Sequence, residues 1–240
     1  MTSSDIVKLQ IRYARLAGFM YLLVDAAYLT FALVANRFRV PGDFAETAHR
    51  ITDSELLYRI GLSSGLVASL CIVFLAMGLY VAIKPLGKNL ALLALVFRLL
   101  EAAFVGGQAI LGFVVLKLYI SADSLNVFDG KQLSMFVTLH STADWVVFNS
   151  FAIFFGVGST LFFYLFFKST YIPKLLSGLG LLGSVLVPIV CFGSLLWPQH
   201  AKLLQLGWAP IGLAEILVGL WLLFKGLNLQ VSTPARPLPK

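Results

Sequence analysis

Four ionisable side chains interrupt long apolar runs of this sequence: Asp25, Arg98, Glu101 and Glu215. An ionised side chain at the centre of a bilayer costs about 2.5 to 3.5 kcal/mol, so each needs a partner or a function. A guanidinium can bind two carboxylates through its several donors. With three acids, one carboxyl is therefore left without a basic partner. That carboxyl would most easily be protonated, because an unpaired buried charge is costly.

Helical spacing groups these residues with other polar side chains and with glycines. Glycines on such a face would let another helix approach closely. The simplest arrangement brings the first, third and sixth apolar helices together around Arg98. The three faces carry Tyr21, Asp25 and Tyr28 in the first helix, Arg98, Glu101, Val105 and Gln108 in the third, and Gly212, Glu215 and Gly219 in the sixth.

A second polar group is formed by His140 and Asp144, which are four residues apart and precede Trp145. A histidine and an aspartate at this spacing could bind a metal, but two ligands are too few for a specific site. We therefore interpret them as a hydrogen-bonded pair at the outer membrane interface. The sequence predicts no metal and no other cofactor.

The composition defines the class of protein in which these residues must be placed. Of the 240 residues, 59% are hydrophobic and 12% are charged, against about 25% charged residues in soluble domains. The net charge of +7 comes from Lys and Arg scattered over helix ends, which argues against nucleic-acid binding. Cys71 and Cys191 both lie in apolar runs, so the sequence predicts no disulfide framework.

Six apolar runs are long enough to cross a membrane as helices. The sequence therefore predicts an all-α fold, a polytopic integral membrane helix bundle with six transmembrane helices. Residues 1–230 are expected to form a single transmembrane domain, and residues 231–240 a disordered tail. The predicted spans cover residues 16–35, 61–83, 90–119, 145–167, 175–197 and 207–224.

The distribution of Lys and Arg over alternate loops sets the orientation. These residues are more numerous on the side of the N-terminus, so the positive-inside rule predicts that both termini are cytoplasmic. We expect a multi-pass protein of the plasma membrane, the inner membrane of a bacterial cell. Between the first two spans, Asp43 and Glu46 indicate the start of a short helix and Asp53 a cap for the next one, which predicts a short helical hairpin outside.

Several short segments, in their order and spacing, resemble a known family of bacterial membrane proteins, the domain of unknown function 4386. The resemblance extends over about residues 12 to 226. It implies a multi-helix bacterial membrane protein whose activity is not established. The segments are Arg15 to Gly18, Pro41 to Asp43, Leu57 to Gly61, Phe97 to Ala102, Lys168 to Pro173, Glu215, Leu220 to Leu223, and Lys225 with Gly226.

Three hypotheses for the function remain open. In the first, the ionic cluster is a packing lock in a structural or accessory protein, which predicts a closed site. In the second, the protein is a small proton-coupled transporter or binds a lipophilic or small polar ligand, which predicts a cavity that reaches Asp25 or Glu215. The third is a lipid-modifying enzyme, which is disfavoured because no nucleophile with a base is recognisable. Membrane lipids are the expected partners, and an oligomer through the glycine-bearing helices remains open.

Overall fold

The apolar runs form helices because a chain inside a bilayer must bond every backbone N–H and C=O internally. In the computed structural model, which describes residues 3–40, 43–121 and 130–229, the chain is helical and contains no strand within those ranges. Six helical segments are long and apolar enough to cross a membrane. The α-helices are α1 (Ser3–Phe38), α2 (Phe44–Asp53), α3 (Glu55–Ile83), α4 (Lys88–Ser121), α5 (Gly130–Lys168), α6 (Lys174–Leu196), α7 (Ala201–Leu204) and α8 (Ala209–Phe224).

Four of the long helices, α1, α3, α4 and α5, extend further than the apolar runs that predict them, whereas α6 and α8 differ from theirs by one or two residues. α1 begins at Ser3 and α5 at Gly130, ahead of the predicted starts at 16 and 145. Hydropathy marks only the apolar part of a helix, whereas backbone hydrogen bonding continues into polar flanks. The last candidate span, Pro198–Phe224, combines short 3-10 turns and α7 with α8. The predicted disordered tail, 231–240, lies outside the described residues.

The segment between the first two spans differs from its prediction. It contains one short helix, α2, which leads through Ser54 directly into α3, so the expected helical hairpin is wrong. Asp43 caps α2 as predicted, because its Oδ1 accepts a hydrogen bond from the Glu46 backbone N–H at 3.0 Å. Asp53 does not cap α3; it ends α2, and its Oδ2 lies 3.1 Å from His49 Nδ1. The side of the membrane on which α2 lies stays a prediction.

The six long helices form a closed ring in which neighbours run antiparallel. Each packs against the next along the chain, in the order α1, α3, α4, α5, α6 and α8, and α8 packs back against α1. α4 therefore lies between α3 and α5, so the predicted meeting of the first, third and sixth membrane helices is wrong in part. Of these three helices, only α1 and α8 are neighbours in the ring. Side chains of α4 face those of α1 and α8 across the centre of the ring.

One end of the ring is filled by side chains. We call it the closed end; it is the end at which α1 begins. Phe162, Phe163 and Phe166 of α5 are buried there, together with Leu79 of α3 and Leu222 of α8. These large side chains from three helices leave the opposite end of the ring, which we call the open end, as the place where space remains.

Candidate functional site

A cavity of about 640 Å³ lies inside the ring on the side of the open end. Cavities that hold small molecules measure about 300 to 1,000 Å³. Its wall is formed by α1, α3, α4, α5 and α8, together with the segment that precedes α8. The cavity is therefore large enough for a small organic molecule, and five of the six long helices contribute residues to its wall.

The floor of the cavity carries the four intramembrane ionisable residues. Arg98 Nε lies 3.1 Å from Glu101 Oε2, three residues further along α4, and both side chains are almost fully buried. A second guanidinium nitrogen of Arg98 donates a hydrogen bond to Ser159 Oγ on α5 at 3.1 Å. The guanidinium carbon also lies 4.8 Å from the centroid of the Phe155 ring. Arg98 is thus held by its own helix and by α5.

Several polar atoms at this floor have no hydrogen-bond partner within the described ranges. They include Asp25 Oδ2, Tyr28 Oη and Glu215 Oε1, and each of these atoms is itself buried. Glu215 as a whole is only 9% exposed. Arg98 Nε and Glu101 Oε2 are close enough for an ion pair but are not aligned for a hydrogen bond. The cavity floor therefore presents hydrogen-bonding capacity that these residues do not use on one another.

Aromatic side chains form the wall above the floor. Phe148, Phe151 and Phe155 follow one face of α5, and Trp208 precedes α8. The Phe155 and Trp208 rings are stacked, with centroids 6.1 Å apart. Tyr28 of α1 stacks on Phe151, with centroids 6.3 Å apart. The cavity thus combines an apolar, aromatic wall with a charged floor.

At the open end the cavity reaches exposed residues, among them Asn36 and Gln205. Asp144 of α5 is the centre of a polar group there. Its Oδ2 accepts a hydrogen bond from the Arg39 guanidinium at 3.3 Å, and its Oδ1 accepts one from the Gln108 amide at 3.4 Å. His140 Nε2 is 3.7 Å from Asp144 Oδ2, which is too long for a hydrogen bond. The expected hydrogen bond between His140 and Asp144 is therefore wrong, although the two side chains remain a close polar pair. Asp144 instead bonds to Arg39, directly after α1, and to Gln108 of α4.

The family to which the chain belongs follows from its match to a family model over residues 16–226, nearly the whole sequence. This chain belongs to the DUF4386 family. The family is described as a domain of unknown function, so the match agrees with the resemblance noted in the sequence and adds no activity. No curated protein and no solved structure matches the chain.

In this DUF4386 chain the cavity brings together most of the predicted site residues. Asp25, Tyr28, Gln108 and Asp144 line it along with the other ionisable residues of the floor. Tyr21 does not line it. Tyr21 is buried toward the closed end. A Cβ atom added to Gly219 would lie 3.1 Å from the Cβ atom of Tyr21.

The glycines of α8 have different surroundings in the DUF4386 structure, although both were predicted to admit a neighbouring helix. Gly219 does so, because its Cβ would meet the Gly18 carbonyl oxygen of α1 at 3.3 Å. A Cβ added to Gly212 would meet no atom within 4 Å. Gly212 lines the cavity, so its missing side chain adds to the cavity space and does not admit a neighbouring helix.

Sequence reasoning missed the α5 wall of this DUF4386 protein. Phe148, Phe151, Phe155 and Ser159 recur at spacings of three and four residues, which places them on one helical face. That aromatic stripe was visible in the sequence, but a stripe alone does not tell a cavity wall from a packed core. Arg39, Asn36 and Gln205 carried no comparable signal, because they lie at helix ends among other polar residues.

The acids of the DUF4386 cavity are not arranged as a metal site. Among the residues that the structure describes, no three His, Cys, Asp or Glu side chains are grouped closely enough to hold a metal ion. Cys71 and Cys191 are free and buried, and neither lines the cavity. The chemistry available in the cavity is therefore that of carboxyl, guanidinium, hydroxyl, amide and aromatic groups.

Proposed function

We propose that this membrane protein binds a small lipophilic molecule with a polar group inside its ring of helices. The observation that carries the proposal is the cavity of about 640 Å³, which runs from exposed residues at the open end to Asp25 and Glu215 at its floor. The fourteen residue steps from Asp25 in α1 to Arg39, directly after α1, correspond to about 21 Å. This extent suits a molecule that places its polar group at the floor and its apolar body against the α5 wall.

Two physical arguments favour a ligand over a cluster that serves packing alone. Buried polar atoms are nearly always hydrogen-bonded, and the floor carries several that have no partner among the described residues. Small-molecule sites are mostly apolar and have a few converging polar groups, which is the arrangement of this wall and floor. The packing-lock hypothesis expects a closed site, so the cavity favours the ligand-binding hypothesis over it.

The orientation predicted from Lys and Arg places the cavity toward the outside of the cell. With both termini cytoplasmic, the closed end of the ring lies on the cytoplasmic side and the open end on the outer side. Trp145 and Trp208 line the open part of the cavity, and indole rings prefer the membrane interface. In this proposal the protein takes its ligand from the outer side of the plasma membrane or from its outer leaflet.

The test uses tryptophan fluorescence, because Trp145 and Trp208 line the cavity and Trp197 and Trp221 do not. The protein with Trp197→Phe and Trp221→Phe is placed in lipid nanodiscs and titrated with brominated aromatic probes, since bromine quenches a nearby indole. The probes are 4-bromobenzyltrimethylammonium, its neutral carbon isostere 4-bromoneopentylbenzene, and the anion 4-bromophenylacetate. We expect saturable quenching by at least one probe. Absence of saturable quenching by all three would contradict the proposal.

A matched pair of glycine variants separates cavity binding from partition into lipid. Gly212→Leu fills the cavity, whereas Gly107→Leu adds the same side chain on α4 where a Cβ would also meet no atom within 4 Å, outside the cavity. We expect Gly212→Leu to abolish saturable quenching and Gly107→Leu to preserve it. Equal quenching in both variants would place the probe outside the ring.

A second candidate function is proton-coupled transport, and the unpartnered carboxyl atoms of Asp25 and Glu215 favour it. A proton-coupled transporter needs a group that gains and loses a proton during its cycle, and a carboxyl can serve as that group. In proteoliposomes, movement of a bound probe would then be driven by a pH gradient, and Asp25→Asn or Glu215→Gln would abolish the coupling while the fold stays intact. Normal coupled transport in both neutral variants would exclude these carboxyls as proton carriers.

A further inference from the structure

We propose that the ligand of this cavity is an organic cation whose positively charged nitrogen binds between Asp25 and Glu215. This inference rests on the ligand-binding function proposed above and names the chemical class of the ligand. Its apolar part would lie against the aromatic face of α5 and against Trp208. The argument combines the charge at the floor, the position of two carboxyls and the nature of the wall.

The first argument is the charge left over at the floor. Among the residues that the structure describes, Arg98 is the only basic one at the floor, and it is already held by Glu101, Ser159 and the Phe155 ring. In the part of the chain that the structure describes, neither Asp25 nor Glu215 has a Lys, Arg or His nitrogen within 4.0 Å. Two carboxyl groups thus remain for a positive ligand, whereas an anion would meet both of them and an arginine that is already occupied.

The second argument is the crossing of α1 and α8, which brings these carboxyls to the same part of the cavity. The two helices meet at Gly18 and Gly219, where side chains are absent and the backbones approach closely. From this crossing toward the open end, Asp25 is seven residues away along α1 and Glu215 four residues away along α8, or about 10 and 6 Å. Both acids line the cavity just above the crossing.

The third argument is the aromatic wall. A cation is attracted to the face of an aromatic ring, most strongly to that of tryptophan, and quaternary ammonium groups are commonly bound by clusters of such rings. Tyr28, Phe148, Phe151 and Trp208 all line the cavity. The neighbouring Phe155 ring already contacts a guanidinium, that of Arg98. Carboxyls and aromatic rings together select for positive charge on a hydrophobic body.

The fluorescence titration tests this inference when its three probes are compared. The cation and the neutral probe differ only in the replacement of the quaternary nitrogen by carbon, so their shapes match. We expect the cation to bind at least about tenfold more tightly than the neutral isostere, as is typical of charge-assisted contacts. The anion should show no saturable quenching. Equal or tighter binding of the neutral probe, or tightest binding of the anion, would overturn the inference and leave the ligand-binding function standing.

Carboxyl variants identify the residues that are responsible. The double variant Asp25→Asn, Glu215→Gln should remove the preference for the cation and keep the affinity for the neutral probe, which also shows that the cavity is intact. If the double variant does not fold, the single variant Asp25→Asn provides the same test, because Asp25 is only half-buried. Glu46→Gln, at an exposed position of α2 outside the cavity, is the matched control. A cation preference that persists in the folded carboxyl variants would refute the proposed position of the charged nitrogen.

Discussion

Gly18 of α1 and Gly219 of α8 lie against each other where the first and last helices of the ring meet. A Cβ on Gly18 would lie 2.6 Å from the Gly219 carbonyl oxygen and 2.5 Å from the Leu223 backbone nitrogen. Backbone atoms cannot move away as a flexible side chain can. This contact closes the ring, and it sets the distance between the helices that carry Asp25 and Glu215.

We therefore predict that Gly18→Ala destabilises the protein, although alanine favours helices. Overpacking a tight contact costs about 1 to 3 kcal/mol, and the clash here is with backbone. Gly107→Ala, on the open surface of α4, is the matched control and should leave stability unchanged or slightly raised. The measurement is the unfolding midpoint of both variants in one detergent. Equal midpoints would show that the α1–α8 contact is not a tight one.

Removal of the Arg98 side chain tests how far the buried ion pair stabilises the bundle. Arg98→Ala leaves Glu101 buried without its partner, and such a loss costs about 3 to 5 kcal/mol. Arg98→Met with Glu101→Leu should recover much of this loss because no charge of the pair is stranded. Arg59→Ala breaks the half-exposed Arg59–Glu55 pair on α3 and should cost at most about 1 kcal/mol. Equal losses for Arg98→Ala and Arg59→Ala in denaturant titrations would contradict a stabilising role.

Cysteine labelling tests the predicted orientation and the side on which the cavity opens. Asn36→Cys places a thiol at the open end and Lys225→Cys one at the closed end, both at exposed positions. In intact cells, a membrane-impermeant maleimide should label Asn36→Cys, and should label Lys225→Cys only after permeabilisation. The native Cys71 and Cys191 are buried and should stay unlabelled. The reverse labelling pattern would show that the cavity opens toward the cytoplasm.

Asp144 is expected to control the rate at which ligands enter the cavity. It accepts hydrogen bonds from Arg39, which follows α1 directly, and from Gln108 of α4 at the open end, so it holds the end of α1 and α4 to α5. Asp144→Ala should speed both binding and release of the cationic probe in stopped-flow quenching, with little change in stability because the Arg39 pair is partly exposed. Asp53→Ala, which removes an exposed pair with His49, is the control. Unchanged rates would show that Asp144 does not restrict entry.

The sequence by itself determined the class of the protein and the faces of its helices. Hydropathy is a local property of the chain, so six apolar helices were predictable from composition along the sequence. The helical period is also local, and it placed Arg98, Glu101 and Gln108 on one face of α4, which the cavity confirms. The ion pair of Arg98 with Glu101 followed in the same way, since both residues belong to one turn of helix.

Only the tertiary structure decided which faces meet and where they stay apart. Gly212 and Gly219 look alike in the sequence, yet one faces the cavity and the other packs against α1, because their surroundings come from helices far away in the chain. Asp144 has its neighbour His140 four residues away, but it binds Arg39, which is 105 residues away. Contacts of this kind depend on the order of helices around the ring and on where small residues let backbones approach, and neither follows from the period of a single helix.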